Sequence, residues 1–172
     1  MKDRRNATKA ELNYSLRRVV YDIMVASKSV ASLSASGNDY SEKEMAKMTA
    51  LLMARNLNAF LFVHEYVKDD DINVTDFINL SSWTPSPSAC MSEIVKQRIH
   101  KIVGHIVASK PSPFKDDEEI RNTIIPIIEQ ACNFVRECLA QNIAKYTGEA
   151  PYYVRRLNGL LPQIGLAKLP EV

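Results

Sequence analysis

The strongest constraint on the fold of this chain is the spacing of its apolar residues. Four segments repeat apolar side chains at intervals of three and four residues, which is the period of an amphipathic helix. No segment alternates apolar and polar residues for more than a few positions, and the chain contains only five glycines. We therefore predict an all-α fold, an up-down bundle of four to five long helices with a long ordered loop between helices two and three.

The first two helices carry start signals in the sequence. Thr8 precedes Glu11 by three residues, a pattern in which each side chain satisfies a free backbone amide of the first turn. The same pattern recurs at Ser41. We expect the first helix to run from Thr8 to about Gly37 and the second from Ser41 to about Tyr66.

The connection after the second helix, residues 69–89, is rich in acids, serines and prolines. We predict an ordered loop with a short helical turn at residues 74–78, because Phe77 and Trp83 offer apolar anchors to the core. A third helix is predicted at about residues 88–109, because Pro111 disfavours helical geometry in the residue before it.

The last long helix is predicted from acidic residues 116–119 to about Tyr146. Pro126 lies inside it and removes one backbone hydrogen bond, so we expect a kink near Thr123. A short helix over residues 151–161 and an arm are predicted to follow. The whole chain, 1–172, is interpreted as a single domain, with its core at about 8–146 and the short helix and arm at 149–172.

Composition narrows the range of functions. The net charge is +2, so any nucleic-acid contact would depend on a local patch. No apolar run approaches the roughly 20 residues of a membrane span, and no apolar stretch of a secretory signal follows the basic start, so we predict a cytoplasmic protein without membrane insertion.

Cys90, Cys132 and Cys138 lack metal-type spacing and are predicted to be buried free thiols. We predict no cofactor and no metal.

The predicted third helix carries the candidate catalytic residues. Arg98 and His105 are seven positions apart, so they lie on one side of a helix, about 10 Å apart along its axis. His100 falls on the opposite flank, which argues against a two-histidine metal site from this helix. One interpretation is functional: the guanidinium of Arg98 and the imidazole of His105 act together in a site. The other is structural: Arg98 is a solvated residue at the edge of the apolar stripe, and His105 is packed in the fold.

The predicted second helix contains an unusual arginine. Arg55 is three or four residues from Leu51, Leu52 and Ala59, so its guanidinium is expected within the apolar stripe. A buried arginine requires a partner, and Asp22, Asp76 and Glu129 are candidates.

Together, the segments ARNLNAFLF and RIHKIVGHIV resemble the HEPN superfamily, named for higher eukaryote and prokaryote nucleotide-binding domains, over roughly residues 10–145. In that family an arginine precedes a histidine by four to six intervening residues. Gly104 and His105 match the small-residue and histidine ending, and the arginine position falls on Arg98 with six intervening residues or on His100 with four.

The resemblance implies a homodimer in which the motif helices of the two copies face each other. The arginines and histidines of these helices would form a site that cleaves RNA without a metal ion. His105 would then transfer a proton and Arg98 would hold the phosphate, with Arg55 and Asn56 as supporting residues and His100 at the alternative arginine position.

Several functions therefore stay open. The first is a metal-independent endoribonuclease, or a degenerate relative of one, in a defence or toxin role. The alternative is a noncatalytic helical module that binds a partner protein or a nucleotide through a dimer face. A DNA-bending or membrane-surface role is the least favoured, because Arg17, Arg18 and Lys28 of the first helix are few cations for strong phosphate attraction.

Overall fold

A computed structural model describes residues 7–34, 39–62, 72–77, 83–93, 95–97, 99, 114 and 116–171. Within these ranges the α-helices are α1 (Lys9–Leu33), α2 (Tyr40–Leu61), α3 (Asp117–Ala140) and the shorter α4 (Ala150–Leu160). Short 3-10 helices cover Val74–Asp76, Pro87–Ala89 and Leu161–Ile164. Every regular element among the described residues is a helix, which confirms the all-α prediction.

Helices α1 and α3 run antiparallel. At one end the Lys9 ammonium donates to the backbone oxygens of Asn142 and Ile143, just after α3. At the other end the Arg121 guanidinium donates to the Val30 carbonyl over 3.3 Å. Contacts at both ends hold the two helices in register over their full length.

Helix α2 runs in the same direction as α3. Near their N-terminal ends, Lys47 Nζ lies 2.9 Å from Asp117 Oδ1. Toward their C-terminal ends, the rings of Phe60 and Phe134 pack edge to face with centroids 5.1 Å apart. Because α1 opposes α3, it also opposes α2, which is the up-down alternation expected for consecutive helices that are close in sequence.

The ends of the helices agree only in part with the sequence prediction. Thr8 caps α1 as predicted: its backbone amide donates to Glu11 over 2.8 Å and its hydroxyl accepts from the Glu11 amide over 3.3 Å. For α2 the predicted start at Ser41 is wrong, because the carboxylate of Asp39 accepts from the Glu42 amide over 2.8 Å. Helix α3 ends at Ala140 rather than near Tyr146.

The early end of α3 has a local cause. Asn142 adopts a left-handed conformation with φ of 53° and directs the chain out of the helix before Tyr146 is reached. Upstream, α3 continues through Pro126.

The long connection is ordered where the structure describes it. The predicted helical turn is present as a 3-10 helix at Val74–Asp76. The Phe77 ring is 1% exposed and packs 4.9 Å from the ring of Phe134, and Trp83 lies 5.7 Å from the same ring. These contacts confirm Phe77 and Trp83 as anchors.

The predicted third helix is only partly described. Residues 93, 95–97 and 99 are helical, but Pro87–Ala89 forms a separate 3-10 helix, so the predicted start near Ser88 is wrong. Ile99 is fully buried, as its place on the apolar stripe predicts.

Two of the three cysteines are sealed in the core. Cys132 and Cys138 are at most 1% exposed, whereas Cys90 is half-buried, and all three are free thiols. Burial raises the pKa of Cys132 to about 12 and also raises the pKa of Cys138 above its ordinary value. Both buried thiols therefore stay protonated at neutral pH, which suits packing residues rather than nucleophiles.

No helix in the described part of the chain is both long and apolar enough to cross a membrane. Within those same residues, no group of three or more histidine, cysteine or acidic side chains is placed to hold a metal ion.

Candidate functional site

The residues predicted to act in catalysis, Arg98 and His105, lie outside the described residues, and so does His100. Their pairing across a twofold axis therefore stays a prediction from the sequence.

Arg55 is exposed, so its predicted burial is wrong. The buried face of α2 is centred on Ala50, Ala54, Leu57 and Leu61, each at most 1% exposed. On the helical wheel this face lies about 130° from Arg55. Of the apolar neighbours of Arg55, Leu51 is buried, Leu52 is half-buried and Ala59 is exposed. Two of the four buried residues at the centre of this face, Ala50 and Ala54, have small side chains.

The asparagine of α2 that matters for packing is Asn58, whereas the predicted Asn56 is half-buried. Asn58 is 3% exposed, and its side-chain oxygen accepts a hydrogen bond from the Met91 amide over 2.9 Å. It therefore holds the chain just before the helical residues that begin at Glu93.

A different set of residues forms the most distinctive exposed feature of the described structure. Helices α1 and α4 lie side by side and present tyrosines and arginines on a common surface. We call this the tyrosine–arginine surface, and it consists of Tyr14, Arg17, Arg18, Tyr21, Tyr152, Tyr153 and Arg156.

Helix α1 contributes two pairs, each with the residues three positions apart on one helical face. The Arg17 guanidinium lies 4.9 Å from the centroid of the Tyr14 ring, and the Arg18 guanidinium lies 5.5 Å from that of Tyr21. A cation this close to a ring face is attracted by the ring quadrupole. The Tyr14 ring remains 60% exposed.

Helix α4 contributes a matching pair four positions apart. The Arg156 guanidinium lies 5.7 Å from the centroid of the Tyr152 ring and donates to the Tyr152 hydroxyl over 2.8 Å. Tyr152 is 49% exposed. The neighbouring Tyr153 hydroxyl donates to Glu149 over 2.8 Å, and this bond raises the pKa of Tyr153.

The two helices are joined through their rings. Tyr21 and Tyr153 pack edge to face with centroids 5.3 Å apart, and Tyr153 packs against Tyr152 at 5.9 Å. Contacts therefore run without interruption from Arg18 through three tyrosines to Arg156. This continuity holds the guanidinium groups at fixed positions relative to the exposed rings.

Gly148 allows the segment before α4 to approach α1. Its φ is +57°, and a Cβ added there would lie 3.0 Å from Nη1 of Arg17. A side chain at this position would be strained by the backbone and would also crowd the guanidinium.

Arg18 has an acidic partner beneath it. Asp22 is 5% exposed, and one of its oxygens lies 3.3 Å from Nε of Arg18, whose side chain is 58% exposed. Burial raises the pKa of Asp22 above its ordinary value of 3.8, although the Arg18 charge acts in the opposite direction. The carboxylate orients Arg18 at a cost in desolvation.

This raised pKa predicts a pH-dependent change in stability. Between pH 3.8 and the raised value the folded state holds the Asp22 proton more tightly than the unfolded state, so stability falls as pH rises through that window. We expect Asp22→Asn to gain stability relative to wild type between pH 3.5 and pH 7, by up to about 1 kcal/mol. Urea denaturation at a series of pH values measures this difference.

Asp39→Asn is the matched control. The backbone hydrogen bond from Glu42 lowers the pKa of Asp39, so its contribution to stability is present above pH 3.8 and is lost on acidification. The stability of Asp39→Asn relative to wild type should therefore fall as pH rises, whereas that of Asp22→Asn should rise. If both relative stabilities change in the same direction, the raised pKa of Asp22 is contradicted.

The side chains of the tyrosine–arginine surface are suited to binding a ligand rather than to catalysis. Exposed tyrosine rings offer flat faces for stacking, and guanidinium groups pair with phosphate oxygens. The seven residues include no histidine, cysteine, serine or carboxylate. They are therefore suited to holding an anionic ligand with flat rings.

A repeated pattern in the sequence marks this surface, although it was not among the predicted site residues. Two segments, YSLRR at 14–18 and YYVRR at 152–156, share a tyrosine followed three and four residues later by paired arginines. They are separated by more than 130 residues, so only the fold shows that they share one surface.

Comparison with protein-family models, curated proteins and solved structures finds no match to this chain.

Proposed function

We propose that this protein binds single-stranded RNA on the tyrosine–arginine surface. The observation that carries the proposal is the uninterrupted series of ring and guanidinium contacts from Arg18 to Arg156. A single strand presents unstacked bases and a phosphate at each nucleotide, and these are the groups that exposed rings and guanidinium groups recognise.

The charge supports a moderate, salt-sensitive affinity. Arg17, Arg18 and Arg156 are the cations of this surface, and Asp22 offsets part of the Arg18 charge. With about three phosphate contacts, the logarithm of the affinity should fall by about 2 per tenfold increase in salt, because each contact releases a fraction of a counterion. The single strand is favoured over a duplex because the rings need base faces, which a duplex keeps stacked internally.

The test is fluorescence anisotropy with labelled 12-nucleotide RNA at 50 mM salt. We expect Tyr14→Ala/Tyr152→Ala to weaken binding at least about 30-fold, because stacking contributes about 1–3 kcal/mol per base. Arg17→Ala/Arg156→Ala should weaken binding and also reduce the salt dependence. Both variants remove exposed or half-exposed side chains and should keep the helical circular dichroism spectrum.

Lys43→Ala/Lys168→Ala is the matched control, since it removes two positive charges outside the surface. We expect it to bind within about threefold of wild type. An equal loss in this control, or no binding by wild type at 50 mM salt, would overturn the proposal.

RNA cleavage by His105 and Arg98 is a separate hypothesis, and it rests on the sequence alone. If the chain is a nuclease, His105→Ala should abolish metal-independent cleavage of the bound strand while binding stays unchanged. If wild type binds the strand and leaves it intact, the protein is the noncatalytic module. The same assay thus separates the two hypotheses.

A further inference from the structure

A groove runs along α1 between α2 and α4, and it is unfilled by the described chain. Its volume is about 810 Å³. Met24 and Val25 of α1 contribute apolar side chains to it, and so do Met45 of α2 and Leu160 of α4. Within the described part of the chain, three helices thus line a space that is open on its fourth side.

The first half of α2 beside this groove has no buried side chain. Residues 40–49 are all exposed or half-exposed, and burial begins at Ala50. Met45 is 72% exposed although it lies on the apolar face that borders the groove. A helical segment of three turns is marginal in water unless its apolar face packs against something. The groove and this half of α2 therefore offer adjoining apolar surface to a partner.

Charged residues of both signs line the groove. Glu42 lies on α2, Lys28 on α1 and Arg156 on α4. Among the described residues, no carboxylate lies within ion-pair distance of Lys28 or Arg156, and no cation lies within that distance of Glu42. One surface thus carries an acid, two bases, a protruding methionine and an apolar recess.

Such a surface is complementary to itself. In a twofold dimer each patch meets its own copy, so a protrusion and a recess on one chain fit the recess and the protrusion of the other. The acid on α2 would likewise meet a base on α1 of the second copy. A single unrelated partner would need the same combination of features by coincidence.

We infer that the groove is filled by the first half of α2 from a second copy of this chain, in a twofold dimer with Met45 in the recess and Glu42 facing Lys28 of the other copy. This axis lies at α2 and differs from the axis predicted from the sequence at the third helix. The inference does not depend on RNA binding, although Tyr21 and Arg156 border both features.

The first test is sedimentation velocity from 1 to 100 µM. We expect wild type to be a dimer and Met45→Glu to weaken dimerisation at least about 100-fold, because the substitution places a charge in the apolar recess. The matched control is Ala59→Glu, which adds the same charge at an exposed position of α2 beyond the groove. A monomeric wild type at 100 µM, or equal losses in both variants, would overturn the inference.

The second test identifies the contact between copies. Glu42→Lys and Lys28→Glu should each give monomers, because every cross-copy pair becomes a like-charge pair. Mixing the two variants should restore a dimer, since the introduced lysine of one chain then meets the introduced glutamate of the other. An attraction within one chain could not be restored by mixing, so monomers in the mixture would contradict the proposed pair.

Gly159 provides a probe that leaves the chain's own packing intact. A Cβ placed there meets no atom within 4 Å, and the residue lies in the groove wall. Gly159→Leu should disrupt the dimer by occupying the recess, and Gly159→Ala should leave it intact and stabilise α4. A dimer that tolerates leucine at this position would exclude the groove as the interface.

Discussion

Phe134→Ala is expected to lower the free energy of unfolding by about 3–5 kcal/mol, the largest effect on stability anticipated for a single substitution in this chain. The Phe134 side chain is fully buried, and three aromatic rings surround it. Phe77 lies at 4.9 Å, Phe60 at 5.1 Å and Trp83 at 5.7 Å between ring centroids. Alanine would leave a cavity against all three rings, since packed neighbours relax only partly.

Guanidinium denaturation measures this loss, and the melting temperature should fall by about 10 °C for a chain of this length. Phe134→Leu is the matched control, because it keeps most of the buried volume and should cost clearly less. Tryptophan fluorescence adds a local readout, since Trp83 is the single tryptophan of the chain and packs on this ring. A loss below about 1 kcal/mol for Phe134→Ala would contradict the central role of this cluster.

Asn158→Ala is expected to release the C-terminal arm and to cost about 2–3 kcal/mol. Asn158 is 4% exposed and makes a reciprocal pair of hydrogen bonds with the backbone of Leu169, donating over 3.0 Å and accepting over 2.7 Å. Its amide also donates to Glu171 over 3.0 Å. Alanine would leave the Leu169 amide and carbonyl without these partners, while the Leu169 side chain itself is 2% exposed.

Limited trypsin digestion reports the release directly, because Lys168 is exposed and directly precedes Leu169. We expect cleavage after Lys168 to be at least about tenfold faster in Asn158→Ala than in wild type, with α1 to α3 remaining intact. Asn158→Asp is the control, since it keeps the bond from the Leu169 amide and should give an intermediate rate. Equal rates in wild type and Asn158→Ala would show that other contacts hold the arm.

The arm and the aromatic cluster both depend on pairings that are distant in the sequence. In the sequence, Asn158 is an ordinary polar residue of a short helix, and Phe134 is one apolar residue of a long one. Their importance comes from which segments the fold brings against them, namely the last residues of the chain and the 69–89 connection.

Helical periodicity alone did not identify the buried face of α2. The stripe predicted through Leu52 and Ala59 placed Arg55 within the core, but the observed stripe runs through Ala54 and Leu57, and Arg55 is exposed. Large apolar side chains on both faces of the helix made two stripes possible. Spacing within α2 does not distinguish two such stripes, and packing against the neighbouring helices decides which one is buried.

The sequence by itself determined the helical class, the cap at Thr8, the anchors Phe77 and Trp83 and the burial of Cys132 and Cys138, because each follows from periodicity, local hydrogen bonding or hydrophobicity. The tertiary structure alone decided which face of α2 is buried and that the two tyrosine and arginine segments lie side by side. Those features depend on contacts between helices far apart in the chain, and local spacing carries no information about which faces will meet.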